Sequence, residues 1–332
     1  MSAFDVMPNT ELYQPVTVED AVALASRLAE KGWLVGGGQD TYGWFKDRAK
    51  NTQALIELSR ISELSGIKKT ASGLEIGATT TLTEISDSTL VKQLAPLLSD
   101  AAGHVASPQI RNVGTIAGNI AQDTRCWYYR RGLSCYRAGG NICYADTTEG
   151  LNREHCLFGA SRCVAVSPSD TAPALVALEA SVVFADKEGT RTVAAADFFL
   201  GPDVDITRMN ILKPGQVIVS IVIPLKSEQS THYYFEKVAD RNVWDFALVN
   251  IAVAIELRAG VIKKARFVCA GVDCKPYRLR AVEEYCVGRS IGEKTAEGAA
   301  PLAALGAVPL NHNHFKIALM QNLVRRALRS QS

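Results

Sequence analysis

Five of the chain's eight cysteines lie between Cys126 and Cys163, in a stretch too polar and too rich in glycine to be ordinary core. The run starts Cys126-Trp-Tyr-Tyr-Arg-Arg-Gly-Leu-Ser-Cys135 and passes through Cys143 and Cys156 to Cys163. Clustered thiols on an irregular segment need a chemical reason, and three readings compete: a disulfide framework, a zinc site and an iron–sulfur cluster. Zinc sites usually present closely spaced cysteine pairs, because a short knuckle offers two thiolates to one tetrahedral ion. Here eight residues separate Cys126 from Cys135, seven separate Cys135 from Cys143, and nineteen separate Cys143 from Cys163. A four-iron cluster is larger and takes its thiolates from different sides, so wide loop spacings suit it better. An odd number of cysteines would leave a disulfide framework with one unpaired. Spacing ranks a cluster first, unligated buried thiols second and disulfides third.

The 332 residues suffice for two or three domains. Hydrophobic residues make up 47% and charged residues 21%, as in an ordinary globular protein. A net charge of +2 gives no reason to expect nucleic acid or an acidic membrane surface as a partner. No apolar run approaches the roughly 18 residues of a membrane helix, so no membrane insertion is expected. The N-terminus lacks the basic and apolar regions of a signal peptide. A cytoplasmic location is therefore the simplest expectation, and it weighs against structural disulfides.

Periodicity predicts an α/β unit over residues 1–60. It begins with a helix from Val18 that Thr17 caps, followed by strands at Trp33–Val35 and from Ala54. Further strands are expected from Leu74, from Val182 and over 218–224, with a helical stretch from about Leu90 to Val105. After the polar run that begins at Lys226, strands follow at Tyr233–Val238, Ala247–Leu257 and Ala265–Ala270. A helical C-terminal third ends in an amphipathic helix over Phe315–Arg329.

Two loops combine bare backbone with small polar side chains. Gly36-Gly37-Gly38-Gln39-Asp40-Thr41 follows a strand, where glycines let N–H groups approach an anion. It matches neither a P-loop nor the Rossmann fingerprint, and alone it reads as well as a tight turn. Ile110 to Ile120 contains Gly114, Thr115, Gly118 and Asn119 and reads equally as a bulged strand. Together the two loops point toward an extended dinucleotide such as FAD.

Several motifs, in order, carry a resemblance over nearly the whole chain: Ile110 to Asn119, Thr124-Arg125-Cys126-Trp-Tyr-Tyr-Arg, the Cys135…Gly139-Gly140…Cys143 step and Ser167-Pro-Ser-Asp170-Thr-Ala-Pro-Ala-Leu. Pro214-Gly-Gln-Val-Ile and Lys237-Val-Ala-Asp-Arg-Asn-Val-Trp-Asp245-Phe-Ala extend it. The chain resembles the FAD-binding medium subunit of molybdenum hydroxylases, the xanthine dehydrogenase family. Within that family it is most similar to the subgroup with an extra [4Fe–4S] cluster, as in bacterial aldehyde oxidoreductases and, more distantly, 4-hydroxybenzoyl-CoA reductase.

The resemblance implies an α+β fold with two domains. A two-part FAD-binding domain of the vanillyl-alcohol-oxidase (PCMH) type would span residues 1–225, with subdomains at about 1–60 and 61–225 and an iron–sulfur loop at 123–166. A C-terminal domain of a small antiparallel sheet and helices would span 226–332. It further implies that Val35, Gly36, Gly37, Gly38, Gln39, Asp40 and Thr41 hold the FAD pyrophosphate. Gly114, Thr115, Gly118 and Asn119 would form the second loop, Asp170 would bind the ribose of the adenosine end, and Ile218 and Lys237 would approach the cofactor. Read locally, Asp170 is a helix N-cap before Thr171 and Lys237 a solvated strand charge.

The implied cluster ligands are Cys126, Cys135, Cys143 and Cys163. Cys156 stands where relatives commonly have alanine, and Cys269, Cys274 and Cys286 read as core or surface thiols. Gln39 and Gln216 replace a usual threonine and glutamate with hydrogen-bonding capacity kept. The Trp127–Arg131 run reads as a half-buried packing surface with its arginines in solvent, or as a shield or docking face.

The implied role is electron transfer as an oxidoreductase subunit. Substrate chemistry would sit on a large molybdopterin-binding partner, linked through a small [2Fe–2S] subunit, in a heterotrimer or a dimer of heterotrimers. Electrons would pass from an aldehyde or aromatic substrate to an external acceptor. In an aryl-CoA reductase-like complex they would instead arrive from ferredoxin. A partner's export signal would allow a periplasmic location. Two rivals stand beside this reading: a flavin oxidoreductase acting alone, and a non-enzymatic iron–sulfur or zinc scaffold.

Overall fold

The computed structural model describes residues 6–225 and 230–330. The start of the polar break, at 226–229, lies outside the described residues. Strands among the described residues form three sheets. The first is a three-stranded parallel sheet of β1 (Glu11–Tyr13), β2 (Gly32–Val35) and β3 (Ala54–Glu57), in the order β1-β3-β2. Parallel strands need a crossover, and the helix Val18–Leu28 supplies it between β1 and β2. Thr17 caps that helix through the Asp20 N–H, as the sequence predicts.

The second sheet is antiparallel and contains β4 (Ile67–Thr70), β5 (Gly73–Gly77), β6 (Ser181–Asp186), β7 (Gly189–Ala194) and β8 (Val217–Ile223), ordered β4-β5-β8-β6-β7. Its central β8 buries Val217, Ile218, Ile221 and Ile223. The third sheet contains β9 (Ser230–Val238), β10 (Val249–Arg258), β11 (Val261–Ala270) and β12 (Tyr277–Arg278) in the order β12-β11-β10-β9.

β10 explains how the sheets join. Its first seven residues are all buried, the pattern of a strand covered on both faces. Ala252 and Ala254 belong to the core of the first two sheets, whereas Ile251, Val253 and Ile255 face the C-terminal helices. The small residues let the N-terminal core approach closely. The β-branched ones fill the gap beneath the helix Phe315–Arg329, whose Met320, Leu323, Val324, Ala327 and Leu328 are buried.

Residues 121–170 contain little regular structure: one turn of helix at Trp127–Arg130 and a 3-10 turn at Tyr136–Ala138. The segment is nonetheless stitched down. The Cys156 N–H donates to the Val164 carbonyl (2.9 Å), the Leu157 N–H to Val272 (2.8 Å) and the Ser167 N–H to Asp273 (2.9 Å). Buried Lys316 donates to the carbonyls of His155 (2.9 Å) and Gly271 (2.6 Å). Burial depresses the Lys316 ammonium to about 7. Among the described residues no helix is long and apolar enough to cross a membrane.

Candidate cofactor site

The two glycine loops meet face to face. The Thr115 hydroxyl donates to the Gly36 carbonyl (2.9 Å) and accepts from the Gly118 N–H (3.1 Å). Gly37 and Gly38 take φ of +90° and +71°, which side-chain-bearing residues rarely adopt. A Cβ on Gly37 would overlap the Val113 carbonyl. Glycine is thus required here for two independent reasons, conformation and close approach, and the tight-turn and bulge readings are both too simple.

The loops open onto a cleft of about 860 Å³. Gly36, Gly38, Gln39, Asp40 and Thr41 line one side, and Gly114, Thr115, Gly118 and Asn119 line another, with Asp170 and Lys237 beyond. Its size suits a large organic cofactor. Val35 packs behind the loop with Phe45 and Leu55, Gly37 stands against Val113, and Ile218 lies in the core of the second sheet; none of the three is on the cleft wall. Asn119 spends its side-chain oxygen on the hydroxyls of Ser169 and Thr171, each at 2.6 Å. It thereby ties the second loop to the helix that follows Asp170.

Asp170 is only 2% exposed. It does not cap the helix Thr171–Ala177 with its side chain. Its carboxylate instead accepts from Lys237 (2.6 Å) and Asn250 (2.8 Å), both from the third sheet. Burial outweighs these partners and lifts the carboxyl above its ordinary range. Lys237 is buried too, and it also donates to the His104 carbonyl (3.0 Å). The local readings of both residues therefore fail, because each is claimed by a partner distant in sequence.

The eight cysteines are all free thiols. Cys126 packs on one side with Cys163 and Cys274 and on the other with Cys135 and Tyr129. Cys143 and Cys163 are near enough to disfavour its ionisation. Burial pushes the Cys126 thiol up to about 12. Cys274 donates its thiol proton to the Ala165 carbonyl (2.9 Å), and its proximity, against the burial penalty, holds the Cys163 thiol down to about 6. His155 is buried with Nε2 3.3 Å from the Cys126 sulfur, and burial depresses the imidazole to about 4. Cys156 packs with Ala145 and Val164. Among the described residues no three His, Cys, Asp or Glu side chains converge closely enough to hold a single metal ion.

Residues 8–226 match the family described as the FAD binding domain in molybdopterin dehydrogenase, and residues 233–331 match the CO dehydrogenase flavoprotein C-terminal domain. The chain belongs to the FAD-binding medium subunits of molybdenum hydroxylases. The aldehyde oxidoreductase FAD-binding subunit PaoB of Escherichia coli K12 is 30% identical, with 95% of this chain and 96% of that protein covered. The carbon monoxide dehydrogenase medium chain of Hydrogenophaga pseudoflava is 28% identical over 97% of each chain. A solved structure of that organism's carbon monoxide dehydrogenase superposes with a TM-score of 0.76 over 97% of both chains.

For a flavin subunit, the cleft has walls that the sequence reading missed. Lys50, Asp123 and Arg125 line it, as do Thr207 to Asn210 and Trp244 to Phe246. Trp244 takes φ of +77°, and its N–H donates to the carbonyl of Ala106 (2.8 Å), itself at φ +43°. Exposed Trp and Phe in one short loop after β9 were the available signal. Cys274 was missed as a neighbour of Cys163 because it reaches the segment from the third sheet's far end.

Proposed function

We propose that this chain is the electron-relay subunit of a molybdenum-dependent dehydrogenase. In this reading it passes electrons from a large molybdopterin-bearing subunit, by way of a small [2Fe–2S] subunit, to an external acceptor. Aldehydes are the favoured substrate class, on the strength of the 30% likeness to an aldehyde oxidoreductase subunit. Residues 1–225 form the flavin domain and 226–332 the C-terminal domain. A [4Fe–4S] cluster would be held by Cys126, Cys135, Cys143 and Cys163.

The observation that carries this reading is shared construction: Arg125 lines the flavin cleft while its chain neighbour Cys126 stands among the thiols. A second cavity of about 530 Å³ is lined by Asp170 and by Cys126 and His155. Two features of the donor set support that reading: free thiols and their packing around Cys126. The thiols are unpaired, Cys126 packs beside both Cys163 and Cys135, and Cys143 is close enough to Cys126 to affect its ionisation.

When bound, FAD would exchange two electrons with partners and the cluster would pass them singly. The chain's own residues bind and shield. Backbone at Gly36–Thr41 and Gly114–Asn119 would face the pyrophosphate, and the Asp170–Lys237 pair would fix the floor near the adenosine end. Buried His155, neutral at physiological pH, would donate through Nε2 to the Cys126 sulfur without adding charge.

Purified protein should carry FAD with about four irons and matching sulfide per chain. Cys163→Ser should lose iron while keeping FAD. Turnover of a small substrate by the chain alone would favour a self-sufficient flavin enzyme, and absence of flavin would favour a scaffold.

A further inference from the structure

The cysteine segment does more than carry thiols; it meets the flavin cleft at three points through charged side chains. Arg137 stands between Cys135 and Cys143 and is 4% exposed. Its Nε and Nη2 both donate to Asp123 Oδ1, at 3.1 and 2.6 Å. Its remaining nitrogen, Nη1, donates to the Ile206 carbonyl at 2.8 Å. Asp123 is itself on the cleft wall, where its other oxygen pairs with Lys50. Ile206 directly precedes Thr207–Asn210, which also line the cleft. A third tie runs through Asp40 of the first glycine loop, which accepts from Arg125 (2.6 Å) and Arg130 (3.1 Å), the residues flanking Cys126 and its helical turn.

We propose that Arg137 is a positioning residue for the flavin: it clasps the Asp123 wall to the Ile206 wall, so that FAD affinity depends on the order of the cysteine segment. The inference rests on the flavin-subunit reading. A planar guanidinium suits this task because its fixed fork can serve a carboxylate and a carbonyl at once. Lysine could hold the charge but not both directions. Linkage makes the effect reciprocal, so FAD binding would in turn order the segment.

The test is FAD titration of the full-length chain, followed by flavin fluorescence and by visible circular dichroism at saturation. Arg137→Gln should bind FAD roughly tenfold or more weakly, with an altered dichroism of the bound flavin, and Arg137→Lys should fall between it and the parent. A role confined to overall stability would lower the unfolding midpoint and leave the saturated flavin spectrum unchanged. Folded Arg137→Gln with parental affinity and dichroism overturns the proposal. Should that variant fail to fold, Arg137→Lys replaces it: weaker FAD binding with altered dichroism of the bound flavin supports the clasp, and parental affinity and dichroism overturn it. A parent chain that retains no FAD removes the flavin reading and the proposal together.

Discussion

The two glycine loops are constrained mainly by backbone conformation, whereas the 121–170 segment adds buried side-chain charge to its backbone ties. In the loops, positive φ at Gly37 and Gly38 and a carbonyl packed where a Cβ would stand leave one solution for the chain. In the segment there is almost no regular structure, and buried charges such as Arg137–Asp123 and Lys316 on two carbonyls reinforce its few backbone ties. Burial opposes ionisation of Asp123, but Arg137 and Lys50 together hold its carboxyl below the usual range. A backbone site tolerates changes of surrounding charge and fails on added bulk. A charge-held site should do the reverse.

The largest effect is expected at Asp123. Asp123→Asn leaves a buried guanidinium and Lys50 without their counter-ion, which costs about 3–5 kcal/mol, read as a fall in urea-unfolding free energy. Gly37→Ala should cost less, about 1–3 kcal/mol, and its signature should be FAD loss at retained secondary structure. If Gly37→Ala proves harmless while Asp123→Asn unfolds the chain, the glycine loops too are held by charge, and the contrast collapses.

A pH series sharpens the same point. Folded Lys316 gives up its proton near 7, well below the ordinary lysine value of 10.5, so between those values the unfolded chain binds more protons than the folded one. Stability should therefore rise as pH climbs from about 7 toward about 10, by at most about 1.4 kcal/mol per unit. Lys316→Met should flatten that rise in a plot of unfolding midpoint against pH. The smallest effect is expected at the exposed Arg191–Glu188 pair, where Arg191→Ala should change stability by less than about 0.5 kcal/mol.

Local physics was legible in the sequence wherever it acted alone. The Thr17 cap, β2, β8 and the helix Phe315–Arg329 all followed from periodicity and capping. The stretch from Leu90 breaks at Ala95 into Thr89–Leu94 and Pro96–Gly103, because proline excludes its predecessor from helical angles. β7 escaped notice because its exposed Gly-Thr-Arg-Thr start has no apolar alternation.

The site was legible in its glycines and less so in its charges. Arg130 was read as solvated but is buried beneath Asp40, ninety residues away, and stacks over Trp44; Arg131 alone of that pair is exposed. Lys237 and Asp170 misled in the same way. An ion pair across 67 residues leaves no periodic trace.

The most direct test is iron, sulfide and flavin analysis of anaerobically purified protein, with an electron paramagnetic resonance spectrum after reduction. One FAD and about four irons per chain, with a reduced-cluster signal that Cys163→Ser abolishes, is the predicted result. Protein that retains FAD but contains neither iron nor sulfide, and shows no such signal, would contradict it.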